Sequence, residues 1–175
     1  MRRLPMLGLA FGLILGAAPL AAQSFADATA SIEVTDGGNI TVVKTQDMSF
    51  GTRASGTTVR SSDVGAYAAW GVTLGSAGQY SVSFTLPTSL QRSGGGSVPI
   101  SFGPNAASSP QIQGIPAWDP SAPIGIEAQG EGGEFFVELG KDALNDASGD
   151  AIVSLAGAPS GLYTGVITLT VAVFD

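Results

Sequence analysis

The chain of 175 residues contains no cysteine and no histidine. Without cysteine there is no disulfide framework, no thiolate zinc site and no lipid-modified cysteine anchor. Without histidine the side chain best suited to proton transfer near neutral pH is missing. Seryl nucleophiles would need Lys44 or Lys141 as base, and no Ser-x-x-Lys spacing occurs. The sequence therefore reads as non-enzymatic, with no cofactor expected. Charge is also scarce, at 12% of residues, and the net formal charge is -7. Lys44, Arg53, Arg60, Arg92 and Lys141 stand singly, so no basic run exists to hold a phosphate backbone, and nucleic acid is not an expected partner.

What is abundant is apolar and turn-forming: 44% hydrophobic residues, 25 Gly and 10 Pro. That hydrophobic share supports a packed core, and the turn formers suit many short connections.

The first residues have the layout of a secretory signal peptide. Arg2 and Arg3 precede an apolar run over residues 7–18, then small residues including Ala21, Ala22 and Ala26. The run is shorter than the ~20 residues a spanning helix needs. Residues 1–22 are read as the signal, with cleavage as late as residue 26. The mature chain is expected to be exported to the periplasm, cell surface or extracellular space, with no membrane insertion.

Residues 27–175 read as one domain, with period-two alternation throughout. Ala28, Ala30, Ile32 and Val34 share one face, and residues 36–39 follow as a turn. Tyr80, Val82, Phe84 and Leu86 alternate with Ser81, Ser83 and Thr85, and Pro87 closes that run. Val98, Ile100 and Phe102 repeat the pattern, as do Ile124, Ile126 and Ala128, and Phe135, Val137 and Leu139. In the last run Ile167, Leu169, Val171 and Val173 face one way, with Thr168 and Thr170 opposite. One apolar and one polar face is what a half-buried antiparallel strand requires. The fold class is all-β: a single immunoglobulin-like, pilin-like antiparallel β-sandwich. Residues 103–123, rich in Pro, Ser and Ala, read as a long loop.

Few residues suggest chemistry. Glu134 and Glu138 alternate with core positions and read as a solvated strand face, and Gly94, Gly95 and Gly96 as a hairpin loop. Asp142, Asp146 and Asp150 are weak calcium candidates; their spacing departs from the EF-hand, and Asp, Asn, Ser and Gly there equally make a turn. Trp70 reads as core. Trp118, in the Pro-rich loop, is the candidate exposed ligand contact.

Three segments carry a family resemblance: residues 40–51 (ITVVKTQDMSFG), 78–87 (GQYSVSFTLP) and 160–165 (SGLYTG) leading into the last strand. Their order resembles the bacterial domain-of-unknown-function family 4402, with its early LxFG, central YxIxLP-like and closing GxYxGxxxVxVxY-like signatures. Met48 replaces the usual Leu, and Phe174 stands where Tyr is common. That family is similar to pilin domains in which a sandwich lacking one strand is completed by a periplasmic chaperone and then by a neighbouring subunit. The resemblance implies a cell-surface structural or adhesive protein, of fimbrial or pilus type, assembled by β-strand addition. Ala28, Ala30, Ile32 and Val34 are the candidate donor positions, with Ile167, Leu169, Val171 and Val173 in the candidate acceptor strand. Two alternatives stay open. The first strand could pair within its own chain, and the protein could be a monomeric extracellular carbohydrate- or matrix-binding module.

Overall fold

The computed structural model describes residues 23–35, 40–112, 116–128 and 132–173. The segment read as a signal peptide and the turn at 36–39 lie outside them. In chain order the strands are β1 Gln23–Thr35, β2 Ile40–Gln46, β3 Met48–Ala54, β4 Thr58–Arg60, β5 Ala68–Leu74, β6 Gly78–Thr85 and β7 Ser89–Arg92. They continue with β8 Ser97–Phe102, β9 Ala107–Ser108, β10 Ala117–Trp118, β11 Ile124–Ala128, β12 Gly133–Leu139, β13 Ala151–Ser154 and β14 Gly161–Val173. A single helical turn, α1 Ser61–Val64, follows β4.

Two sheets result, packed against each other as an all-β sandwich. The larger runs β11-β6-β14-β7-β8-β13-β4, with β1 joined to β14 and to β3; the smaller runs β10-β9-β12-β5-β2. One side of β14 is shared by two strands in succession. β6 lies opposite residues 168–173 and β7 opposite Tyr163 and Thr164. The interruption between them holds Pro87, which has no N–H to give a ladder.

The expected apolar faces meet between the sheets. Trp70, Tyr163, Phe50, Met48, Leu90 and Leu139 are its largest fully buried side chains. The rings of Trp70 and Phe84 are tilted, with centroids 5.7 Å apart. Buried polar tips find partners: Tyr163 Oη donates to Pro159 O at 2.8 Å and Tyr80 Oη to Ser76 O at 2.9 Å. Gly94, Gly95 and Gly96 connect β7 to β8, and all three adopt positive φ.

The structure departs from the sequence reading in two places here. The first strand begins at Gln23 and runs parallel to β14, so the sheet is not purely antiparallel. The segment 103–123 is not one loop, because β9 and β10 form within it and extend the smaller sheet.

One glycine is fixed by both its backbone and its surroundings. Gly140 has φ +82°, and a Cβ there would fall 2.6 Å from Met48 Cε and 3.5 Å from Ser61 Oγ. Met48 is fully buried and can yield only by disturbing the core. Gly140→Ala is expected to cost about 2–3 kcal/mol in urea or thermal unfolding, combining left-handed strain with overpacking.

Candidate functional site

The donor and acceptor candidates from the two ends of the sequence lie in one ladder. The parallel register runs from Ser24↔Gly161 to Thr35↔Ala172 and includes Ala28↔Gly165, Ala30↔Ile167, Ile32↔Leu169 and Val34↔Val171. Ala28 and Ala30 are buried, as are Ile167, Leu169 and Val171. For Ile32 and Val34 the description extends to the backbone. Val173 departs from the expected pattern: it lies past the end of the β1 register and is 44% exposed.

The other edge of β1 is only half zipped. β3 pairs with it from Gln23↔Ala54 to Ala28↔Met48, with a bulge between Phe25 and Asp27. Beyond Ala28, side chains replace the ladder. The Ala30 N–H donates to Asp47 Oδ1 at 2.8 Å, and Ser31 C=O accepts from Trp70 Nε1 at 3.1 Å. Lys44 Nζ reaches the same Asp47 oxygen at 3.0 Å. Burial acts to raise the Asp47 pKa, but the Ala30 N–H and Lys44 outweigh it and hold the carboxyl below its ordinary value. On the β14 side, Ser31 Oγ donates to Ile167 O at 3.0 Å and shares a 2.6 Å hydrogen bond with Thr168 Oγ1.

The inward side chains of β1 that are described, Ala26, Ala28 and Ala30, are all small. Each buries about one methyl group, worth roughly 0.8 kcal/mol. Over residues 26–31, backbone hydrogen bonds and the Asp47 and Trp70 contacts add to that modest apolar burial. An extended strand held in this way matches the chemistry of strand addition, in which the ladder gives affinity and pockets give register. Asp47 and Trp70 were not foreseen in this role. The only signal was an acid at the junction of two alternating strands.

The remaining candidates are dispersed. Trp118, expected as an exposed contact, is instead part of the core at 7% exposure, because pairing with Ala107 turns its ring inward. Asp142 accepts from the N–H groups of Ala147, Asp146 and Gly149, while Asp146 accepts from the Ser148 N–H and hydroxyl. These oxygens organise a turn. Asp150 points away to α1, where it meets Ser61, Ser62 and Arg60. Among the described residues no group of three or more Asp or Glu is placed to hold a metal ion.

No protein-family model matches the chain, and comparison with curated proteins finds no match. Its fold makes it an all-β sandwich protein whose first and last strands lie side by side. Among the described residues no helix is long and apolar enough to cross a membrane.

Proposed function

We propose that this is an exported cell-surface protein with a structural or adhesive, non-catalytic role, whose copies join by exchanging β1. The observation that carries this reading is the position of β1. It is an N-terminal strand seated along the last strand from Ser24↔Gly161 to Thr35↔Ala172, with Ala26, Ala28 and Ala30 buried among its described side chains. A groove closed by a chain's own strand can accept the same strand from a second copy with identical contacts, which is the logic of domain swapping. The family resemblance supports the same reading and adds a periplasmic chaperone as a candidate temporary occupant. Signal cleavage after Ala22 would leave β1 whole, whereas cleavage after Ala26 would remove four of its residues.

A cysteine pair tests the reading in a chain that has no cysteine of its own. Thr29 and Val166 are register partners and both are exposed, so Thr29→Cys with Val166→Cys leaves the core untouched. Neighbouring strand positions suit the Cα spacing of a disulfide. Exchange predicts a ladder of covalent oligomers on non-reducing gels after the concentrated protein is oxidised. Closure within one chain at every concentration would refute it.

A second reading, a monomeric extracellular carbohydrate- or matrix-binding module, is favoured by the same closure, since the sandwich completes itself. The cysteine experiment separates the two.

A further inference from the structure

Residues 108–110, Ile112 and Pro116 bound a cleft of about 610 Å³ against Glu138 of β12 and the turn that follows it. Ser108 and Ser109 line it, and they are 2% and 1% exposed. Among the described residues neither hydroxyl has a hydrogen-bond partner. A third polar group without a partner, Trp118 Nε1, lies on the neighbouring β10. Buried polar groups are nearly always paired, so three around a two-residue strand call for an occupant that can pair with them. Each hydroxyl oxygen is itself buried, so meeting an occupant takes a change of χ1 rotamer, a turn of about 120°.

The surroundings narrow the chemistry. Pro110, Ile112 and Pro116 give apolar walls. The charges at the rim are already matched: Lys141 Nζ donates to Glu138 Oε1 at 2.7 Å and lies 5.3 Å from the Tyr67 ring centroid. Among the described residues no charge in the cleft is left to recruit an ion, and the net charge of -7 disfavours anions generally. A hydroxyl both donates and accepts, so two of them beside apolar walls suit a neutral molecule with hydroxyl edges and C–H faces. The volume falls within the range of small-molecule sites.

We infer that the Ser108–Ser109 cleft is a binding site for a neutral saccharide of one or two rings. The inference deepens the second reading above and does not require strand exchange.

The test uses the full mature chain and a panel of glucose, galactose, mannose, N-acetylglucosamine and their disaccharides. Binding is followed by saturation-transfer NMR and calorimetry, with oligomeric state recorded on the same samples. At least one sugar should bind with a dissociation constant of roughly 0.1–10 mM. Ser108→Ala with Ser109→Ala should weaken it about tenfold or more without lowering the thermal midpoint, since each change removes a hydroxyl that no protein group uses. Ala143→Trp, at an exposed position on the cleft wall, should block binding with the core unaltered. Binding that survives both variants would overturn the site while leaving a binding module elsewhere on the surface. Absence of binding across the panel at about 20 mM would overturn the site and count against the module reading together.

Discussion

Mature protein lacking residues 23–35 is expected to lose its cooperative melt entirely, and a synthetic peptide of that sequence is expected to restore it. Deletion strips the ladder from one whole side of β14 and from β3 over Gln23 to Ala28. It also removes the Ala30 N–H that Asp47 accepts and the Ser31 carbonyl to which the Trp70 indole N–H donates. Net values of about 1 kcal/mol for each backbone bond, over a register of this length, approach the roughly 5–15 kcal/mol that a domain has in total. Two newly open edges, those of β14 and β3, would further expose the truncated chain to aggregation. The peptide should rescue because it can restore the backbone register along β14 and the Ala30 and Ser31 contacts with Asp47 and Trp70. Circular dichroism melts with and without peptide read the result directly. A truncated chain that unfolds cooperatively within a few degrees of the full one would show that β1 is an accessory strand.

How much of this was legible in the sequence depends on the distance over which the signal acts. Alternation at Ala28 and Ala30, at Val98 and Ile100, and at Ile167, Leu169 and Val171 marked buried faces, and those residues are buried. Alternation fixes a strand's faces but not its neighbour or direction. The parallel pairing of β1 with β14 was therefore invisible, as was its start at Gln23. Trp118 was misread for a related reason. A two-residue strand carries no period, and the surrounding Pro and Ser suggested a surface loop, whereas a short pair with β9 turns the indole into the core. Neither Ser108 nor Ser109 stood out, since a serine signals nothing until its burial is known.

Asp150 shows the limit most clearly, and it carries the second large expected effect. In sequence it ends a run of turn residues; in the fold its side chain is fully buried against α1, 88 residues from Ser62. Its Oδ1 accepts the Ser62 N–H at 2.9 Å, and the single Ser61 hydroxyl proton lies between Gly140 O at 2.6 Å and Asp150 Oδ1 at 3.2 Å, the shorter contact being to Gly140. The Ala151 N–H donates back to Ser61 Oγ at 2.9 Å, closing a network between α1, Gly140 and the start of β13. Arg60 reaches Asp150 Oδ2 at 3.3 Å, but its side chain is 46% exposed, so solvent weakens that pair. Asp150→Ala is expected to cost about 2–3 kcal/mol, because it removes the acceptor of the Ser62 N–H and leaves a gap at a fully buried position. Arg60→Ala should cost about 1 kcal/mol or less. The pH dependence follows from the direction of the Asp150 shift. Burial alone would raise its pKa; the hydrogen bonds from Ser62, Arg60 and Ser61 outweigh it and hold the carboxyl below the ordinary value of 3.8. A carboxyl whose folded pKa is depressed contributes stability above its unfolded value and loses it as the pH falls through the folded one. Asp47 shifts in the same direction and adds to the effect. Wild-type stability should therefore fall steeply below pH 3.8, and Asp150→Asn, which cannot titrate, should fall less over the same interval. The gap between the two urea-unfolding free energies should narrow with acidification. A constant gap from neutral pH down through the acid limb would mean that the Asp150 charge contributes nothing to holding α1.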